Sequence, residues 1–381
     1  MALPINPRQQ SLDGLRGFAA LAVIFYHSIL MFVPSGEKVN HLLGNTIFSL
    51  SGYESYARFV LALVSGETAV MIFFVISGYV LMRSLNKDEQ THSGYSVFWF
   101  FVLKRTFRIY PALIGCLISM FIIYNGLNIL FPHIYPQFEI KDFLTNMTLY
   151  EIKVHGATWT LKAEMLAIPF ILLAFVLRKY IGIFGVILLG AYSAILFEFP
   201  AFGFDYYLIS SWLIYFVTGF LVYDLSNTSF VRDLISGKKW ILILLGVIFF
   251  RPLFSISSLV TKFIQLFCIM ILVSSFAGTN LNPLNSFFSK KIPVFFGKIS
   301  YSLYLWNVIF LNVFLHPVSR IEWFKNNYIE SGILVGILIT VISIPFSIFS
   351  ERWLERPFMN FWSAHQKARR MVVTSAEPSN I

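Results

Sequence analysis

The chain has 381 residues, 57% of them hydrophobic and only 13% charged, against about 25% charged in an ordinary soluble domain. So few charges cannot cover the surface of two or three soluble cores, and the bilayer is the expected solvent. Forty-two Phe, 18 Tyr and 8 Trp exclude disorder, two cysteines exclude a disulfide scaffold, and a net charge of +10 does not indicate nucleic acid because the basic residues sit beside apolar runs.

A spanning helix needs about 20 mostly apolar residues. Ten runs of that kind occur, near 14–33, 60–82, 109–131, 159–177, 180–197, 207–223, 240–257, 259–277, 293–314 and 331–350. The reading is an all-α integral membrane protein, a bundle of about ten transmembrane helices. No cleaved signal peptide is expected, since Asp13 and Arg16 precede the first apolar run and no small-residue cleavage site follows it. Twenty of the 29 Lys and Arg fall on one side if the helices alternate, which predicts both termini in the cytoplasm. Residues 1–365 read as one multi-pass domain and 366–381, after Lys367, Arg369 and Arg370 begin to accumulate, as a solvated tail. The segments 34–59 and 132–158 read as ordered loops at the opposite surface.

Ionisable residues inside such runs mark cavities. Arg16 and His27 are 11 residues apart, about 20° after three turns, so they share a face of the first helix, roughly 16 Å apart along it. One reading is a cation and a proton acceptor lining a cavity; the other is an interfacial anchor and an interhelical hydrogen bond. Lys104, Arg105 and Arg108 open the third run at i, i+1 and i+4 and repel one another unless they meet water, anionic lipid or a bound anion such as phosphate. Glu164 is the only acid in the fourth run, five residues after Trp159; it orients an imidazole, binds sugar hydroxyls or pairs with Lys162. Ser300, Tyr304 and Asn307 form a polar stripe on the ninth. Ser77-Gly78 and the Gly14/Gly17 pair favour close helix packing. Cys116 and Cys268 read as small hydrophobes, and the remaining histidines lack metal-ligand spacing. No phosphate-binding glycine loop, G-x-S-x-G elbow or C-x-x-C pair occurs.

Taken in order, Leu12-Asp13-Gly14-Leu15-Arg16-Gly17-Phe18-Ala19-Ala20 with His27, Phe73-Phe74-Val75-Ile76-Ser77-Gly78-Tyr79, Lys104 to Pro111, Trp159-Thr160-Leu161 with Glu164, Ile299 to Trp306, and Glu355-Arg356-Pro357-Phe358 resemble the membrane-bound acyltransferase 3 family of bacterial O-acyltransferases. The resemblance implies a cytoplasmic acyl-CoA donor, commonly acetyl-CoA and not a permanently bound cofactor. It also implies a hydroxyl acceptor on a surface polysaccharide, lipopolysaccharide or lipid-linked glycan, and the inner membrane as location. By the same resemblance His27 is the catalytic histidine, with Arg16 and Glu164 beside it in the reaction. Arg108 and the basic residues Lys104 and Arg105 face the donor, and Ser77, Trp159, Ser300, Tyr304 and Asn307 are candidate substrate or structural positions. Lys104 stands where the family usually has arginine, and Asn307 where many members have histidine. A glycan or lipid transporter and an inactive family member are the alternative readings; no internal repeat of the kind common in transporters is visible.

Overall fold

The computed structural model describes residues 7–90, 94–132, 134–135, 138–203, 206–254, 259–278, 283–318 and 321–361. These form an all-α membrane bundle, with helices and connecting turns and no strand among the described residues. Each of the ten apolar runs is helical: α1 (Pro7–Leu30), α2 (Gly66–Glu89), α3 (Tyr95–Leu130), α4 (Trp159–Ile181), α5 (Ile183–Glu198), α6 (Tyr207–Leu225), α7 (Lys239–Phe254), α8 (Leu259–Ala277), α9 (Ser300–Val318) and α10 (Tyr328–Ser350). The expected tail at 366–381 lies outside the described residues, as do His92, His133 and His365.

Six helical segments are long and apolar enough to cross a bilayer: Gly52–Glu89, Tyr95–Leu130, Gly156–Ile181, Tyr207–Leu225, Leu259–Ala277 and Tyr328–Phe361. The ninth run makes a seventh, but as a bent pair: Lys291–Lys298 meets Ser300–Leu315 at 71°. Of the other three runs, α1 has 24 residues and α7 is described over 16, whereas α5, at 16 residues, extends only about 24 Å, short of the ~30 Å hydrocarbon core. Other boundaries also move. The second run starts in a separate helix, Gly52–Leu63, and restarts where the Ser65 hydroxyl accepts from the Thr68 amide at 3.2 Å. Helix α3 begins 14 residues before the apolar run does, so Lys104, Arg105 and Arg108 lie within a continuous helix of 36 residues.

Bulky apolar side chains face outward, including Ile122 at 64% exposure, Leu188 at 60% and Val341 at 60%. Exposed apolar surface on this scale is matched to lipid. Helix α2 is the hub: it packs on α1, α4, α6 and α8. Its approach to α6 is so close that a Cβ on Gly78 would overlap the Phe216 carbonyl and one on Gly219 the Val75 carbonyl. The same economy joins α1 to the Lys291–Lys298 helix, where a Cβ on Gly17 would meet Pro293 and Gly297. Small residues let backbones approach where lipid supplies no hydrophobic drive between helices. After α10 the chain widens into a π-helical turn, Glu351–Glu355, packed on α3.

The segment 132–158 does not simply cover the surface. Its helix Ile140–Met147 and the turn Gly156–Thr158 fold inward around a buried network. Asn146 Nδ2 donates to Thr158 Oγ1 at 2.9 Å, its Oδ1 accepts from the His155 amide at 2.9 Å, and Thr158 donates to the His155 carbonyl at 2.7 Å. His155 Nε2 donates to the Leu305 carbonyl of α9 at 2.9 Å. Fully buried, this histidine ties the segment to α9 through one ring nitrogen, and its Nδ1 has no partner among the described residues.

Candidate functional site

Helices α1, α2, α3, α4 and α9 line a cavity of about 100 Å³ that is partly open to the surface. Its wall is apolar along α2, where Val70, Phe73, Phe74, Ile76 and Val80 face it, and strongly polar opposite. Three arginines, Arg16, Arg105 and Arg108, line it against one carboxylate, Glu164. Two positive charges are therefore unbalanced within the lining.

Each polar group is placed by helical register. Ser77 lies near the middle of α2 and Glu164 one turn beyond Thr160 on α4, so Thr160 and Glu164 share a face. Arg105 reaches both: its Nη2 lies 2.5 Å from Glu164 Oε1 and donates to Ser77 Oγ at 2.9 Å, while Ser77 Oγ donates to the same carboxylate oxygen at 3.3 Å. Arg105 is 5% exposed, so the pair is desolvated and fixes α3 against α2 and α4. Its Nε has no partner among the described residues. Among the described residues Arg16 forms one ion pair, a long one to Asp13 at 3.9 Å, with Glu164 and Glu355 acting on it at longer range. Arg108 forms no ion pair among the described residues.

From α9, Ser300, Tyr301 and Tyr304 complete the wall. Tyr301 donates to the Ile109 carbonyl at 2.7 Å, and Tyr304 donates to the Ala157 carbonyl at 2.9 Å while accepting from Thr160 at 3.1 Å. Ser300 Oγ is buried with no partner among the described residues. Unsatisfied buried polar atoms are costly unless a ligand or water completes them.

The other expected positions are used differently. Lys104 turns away from the cavity and binds Asp88 at 2.5 and 2.6 Å, an acid that is almost completely buried. Asn307 does not line the cavity; its Nδ2 donates to the Leu303 and Tyr304 carbonyls of its own helix, both at 2.7 Å. Trp159 packs with Trp212 at 4.8 Å and supports the wall from behind. Glu164 pairs with neither Lys162, which donates to the Tyr150 carbonyl at 2.6 Å, nor His27. His27 lies in the last turn of α1, exposed and outside the cavity lining, its ring edge-on to Tyr26 with centroids 5.5 Å apart. Arg16 thus lines the cavity, and His27, on the same helix face, lies outside its lining.

Reasoning from residues alone missed Thr160, Tyr301 and the apolar α2 wall. The i, i+4 relation of Thr160 to Glu164 carried the signal for the first. It also missed Asp88, whose pairing with Lys104 depends on the α2–α3 connection.

Fold and site together define a polytopic helical membrane protein built around a cation-lined cavity. The model of the acyltransferase domain matches residues 9–352, and the chain belongs to the acyltransferase 3 family. It is a multi-pass membrane acyltransferase. No curated protein and no solved structure matches it.

Proposed function

We propose that the protein is an O-acyltransferase of the inner membrane, with both termini cytoplasmic. In this reading it moves an acetyl group from cytoplasmic acetyl-CoA to a hydroxyl of a surface polysaccharide, lipopolysaccharide or lipid-linked glycan. The observation that carries the reading is the unbalanced positive charge of the cavity, lined by Arg16, Arg105 and Arg108 with a single acid. Coenzyme A is a polyanion, and guanidinium groups pair with phosphate oxygens in a bidentate fork. Arg108, which lines the cavity and forms no ion pair among the described residues, is the natural phosphate ligand. Arg105, held by Glu164 and Ser77, offers its remaining N–H, and the apolar α2 wall suits the acyl-bearing arm.

His27 lies about 16 Å further along α1, exposed and beyond the residues that line the cavity, so the acyl-bearing arm has to extend along this helix face to reach it. The acceptor hydroxyl gives its proton to the neutral imidazole as its oxygen forms a bond to the thioester carbonyl carbon. The carbon–sulfur bond then breaks, and the coenzyme thiolate leaves and takes up a proton. Arg16, at the cavity end of the same helix face, positions the donor. A general base contributes roughly 10²–10⁴ in rate.

The test is transfer of labelled acetyl from acetyl-CoA by purified protein in lipid, supplied with a glycan and lipid extract of the host. Wild type should place label in a hydroxyl ester, and His27→Ala should lose at least a hundredfold while remaining folded. Equal transfer by the variant would overturn the role of His27. No label from any acyl-CoA would overturn the proposed activity.

A further inference from the structure

The ninth apolar run is broken at Ile299, and helix α9 starts afresh at Ser300, 71° from the Lys291–Lys298 helix before it. A new helix has no carbonyls of its own behind its first amides. An unbroken helix would have spent the amides of Ser300, Tyr301 and Ser302 on the carbonyls of Phe296, Gly297 and Lys298. Among the described residues these three amides donate to no carbonyl outside α9; the first bond at the bend runs from the Leu303 amide to the Ile299 carbonyl at 2.7 Å. The bend therefore leaves unspent N–H groups, and the positive end of a 19-residue helix dipole, inside the protein.

A side chain converges on the same point. Ser300 lines the cavity at 1% exposure, and its Oγ has no partner among the described residues, so it does not cap its own helix. Ser302 turns the other way, its hydroxyl meeting Ser350 at 2.7 Å and the Glu355 carboxylate, both outside the cavity lining. The Tyr301 hydroxyl, on the Ile109 carbonyl, ties this end of α9 to the residue after Arg108. Arg105 Nε, in the same lining, is likewise buried and unpartnered. Both unsatisfied side-chain atoms of the lining can donate, and Arg16, Arg105 and Arg108 repel one another across it. Buried donors beside mutually repelling cations are satisfied together by an anionic acceptor.

We infer that the N-terminus of α9, with Ser300 Oγ, is an anion subsite that binds the diphosphate of the acyl-CoA donor beside Arg16 and Arg108. This rests on the proposed function, in which the donor enters this cavity. The arginines supply charge, and the helix terminus supplies donors fixed in direction by the backbone, as the broken helices of other membrane proteins do for anionic substrates. The placement also directs the rest of the donor. Gly17, next to Arg16, packs on Gly297 just before the bend, whereas at the head of α2 Gly66 packs on the ring of Tyr26, next to His27. The apolar wall from Val80 to Val70 thus leads from the subsite toward the His27 end of α1.

The test uses purified full-length protein in phosphatidylcholine discs, with sodium pyrophosphate as the probe. Pyrophosphate should raise the unfolding temperature of wild type saturably. Ser300→Ala should need roughly tenfold more for the same rise, the effect of losing one charge-assisted hydrogen bond, and Ser300→Asp should abolish it. Comparing dependence on pyrophosphate, rather than baseline stability, separates binding from packing. In the labelled-acetyl assay pyrophosphate should compete with acetyl-CoA, and Ser300→Ala should raise the half-saturating acetyl-CoA by a similar factor. No rise in wild type, or the same dependence in all three proteins, would overturn the inference while leaving the acyltransferase reading intact. Loss of the rise when phosphatidylglycerol is added to the discs, with the acetyl-CoA dependence of Ser300→Ala unchanged, would assign the subsite to a lipid headgroup and overturn it too. Pyrophosphate binding that depends on Ser300, in protein that transfers no label from any acyl-CoA, would support the anion subsite and count against the proposed function.

Discussion

At the scale of single residues, the cavity contains two arginines of different kinds. Arg105 is desolvated and already paired with Glu164 and Ser77, so removing the acid strands a buried charge at a cost of about 3–5 kcal/mol. Glu164→Ala should therefore lower the unfolding temperature in detergent markedly, and adding Arg105→Met should restore part of it; strictly additive losses would show that the two side chains do not act as a pair. Arg108 forms no ion pair among the described residues and meets Asp13 and Glu355 at longer range. Arg108→Gln should leave thermal stability nearly unchanged and raise the KM for acetyl-CoA roughly tenfold to a hundredfold, the equivalent of one charge-assisted hydrogen bond of about 1.5–3 kcal/mol. Stability loss with an unchanged KM would reverse the assignment. That Arg16, Arg105, Arg108 and Glu164 would matter was legible because charge in an apolar run is conspicuous. Which cation pairs with which acid was not, because the competition between Asp88 and Glu164 for Lys104 and Arg105 is settled by helix rotation.

At the scale of elements, the wall of the cavity depends on how near α2 can come to α6. Gly78 and Gly219 face each other's backbones, and no side-chain rotation can relieve an added atom there. Gly78→Leu should separate the helices, and overpacking of this kind costs about 1–3 kcal/mol or more. The expected result is a sharp fall in folded protein recovered from membranes, with activity falling in proportion; full yield and activity would mean that α2 and α6 are not held at this distance. The close packing of Ser77-Gly78 was readable from residue size. The break between Lys291–Lys298 and Ser300 was not, since hydropathy runs through it without interruption. It arises where Ile299 leaves the helix and the backbones of Gly297 and α1 come into contact. That bend aims Ser300, Tyr301 and Tyr304 at the cavity.

At the scale of the whole molecule, the cavity lies toward the Arg16 end of α1, and the orientation proposed from Lys and Arg makes that end cytoplasmic. Cys116 and Cys268 are buried, so a single introduced cysteine reports alone on its side. Lys87 and Glu37 are both exposed, at opposite ends of the bundle. In intact cells a membrane-impermeant thiol reagent should label Glu37→Cys and spare Lys87→Cys, and the reverse pattern would invert the proposed topology.

The all-α membrane fold, the ten helical runs and the charged residues worth watching follow from the sequence by itself, because hydropathy and periodicity are local properties and a charge in a bilayer must be accommodated somewhere. Tertiary structure alone decided that Arg105 and Glu164 meet while Lys104 is taken by Asp88, that Asn307 serves its own helix, and that Arg16 lines the cavity while His27 does not. Those outcomes depend on the relative rotation and depth of neighbouring helices. Contacts between residues far apart in the chain set both, through the glycine seams of α1, α2 and α6 and the inward-folded segment around His155.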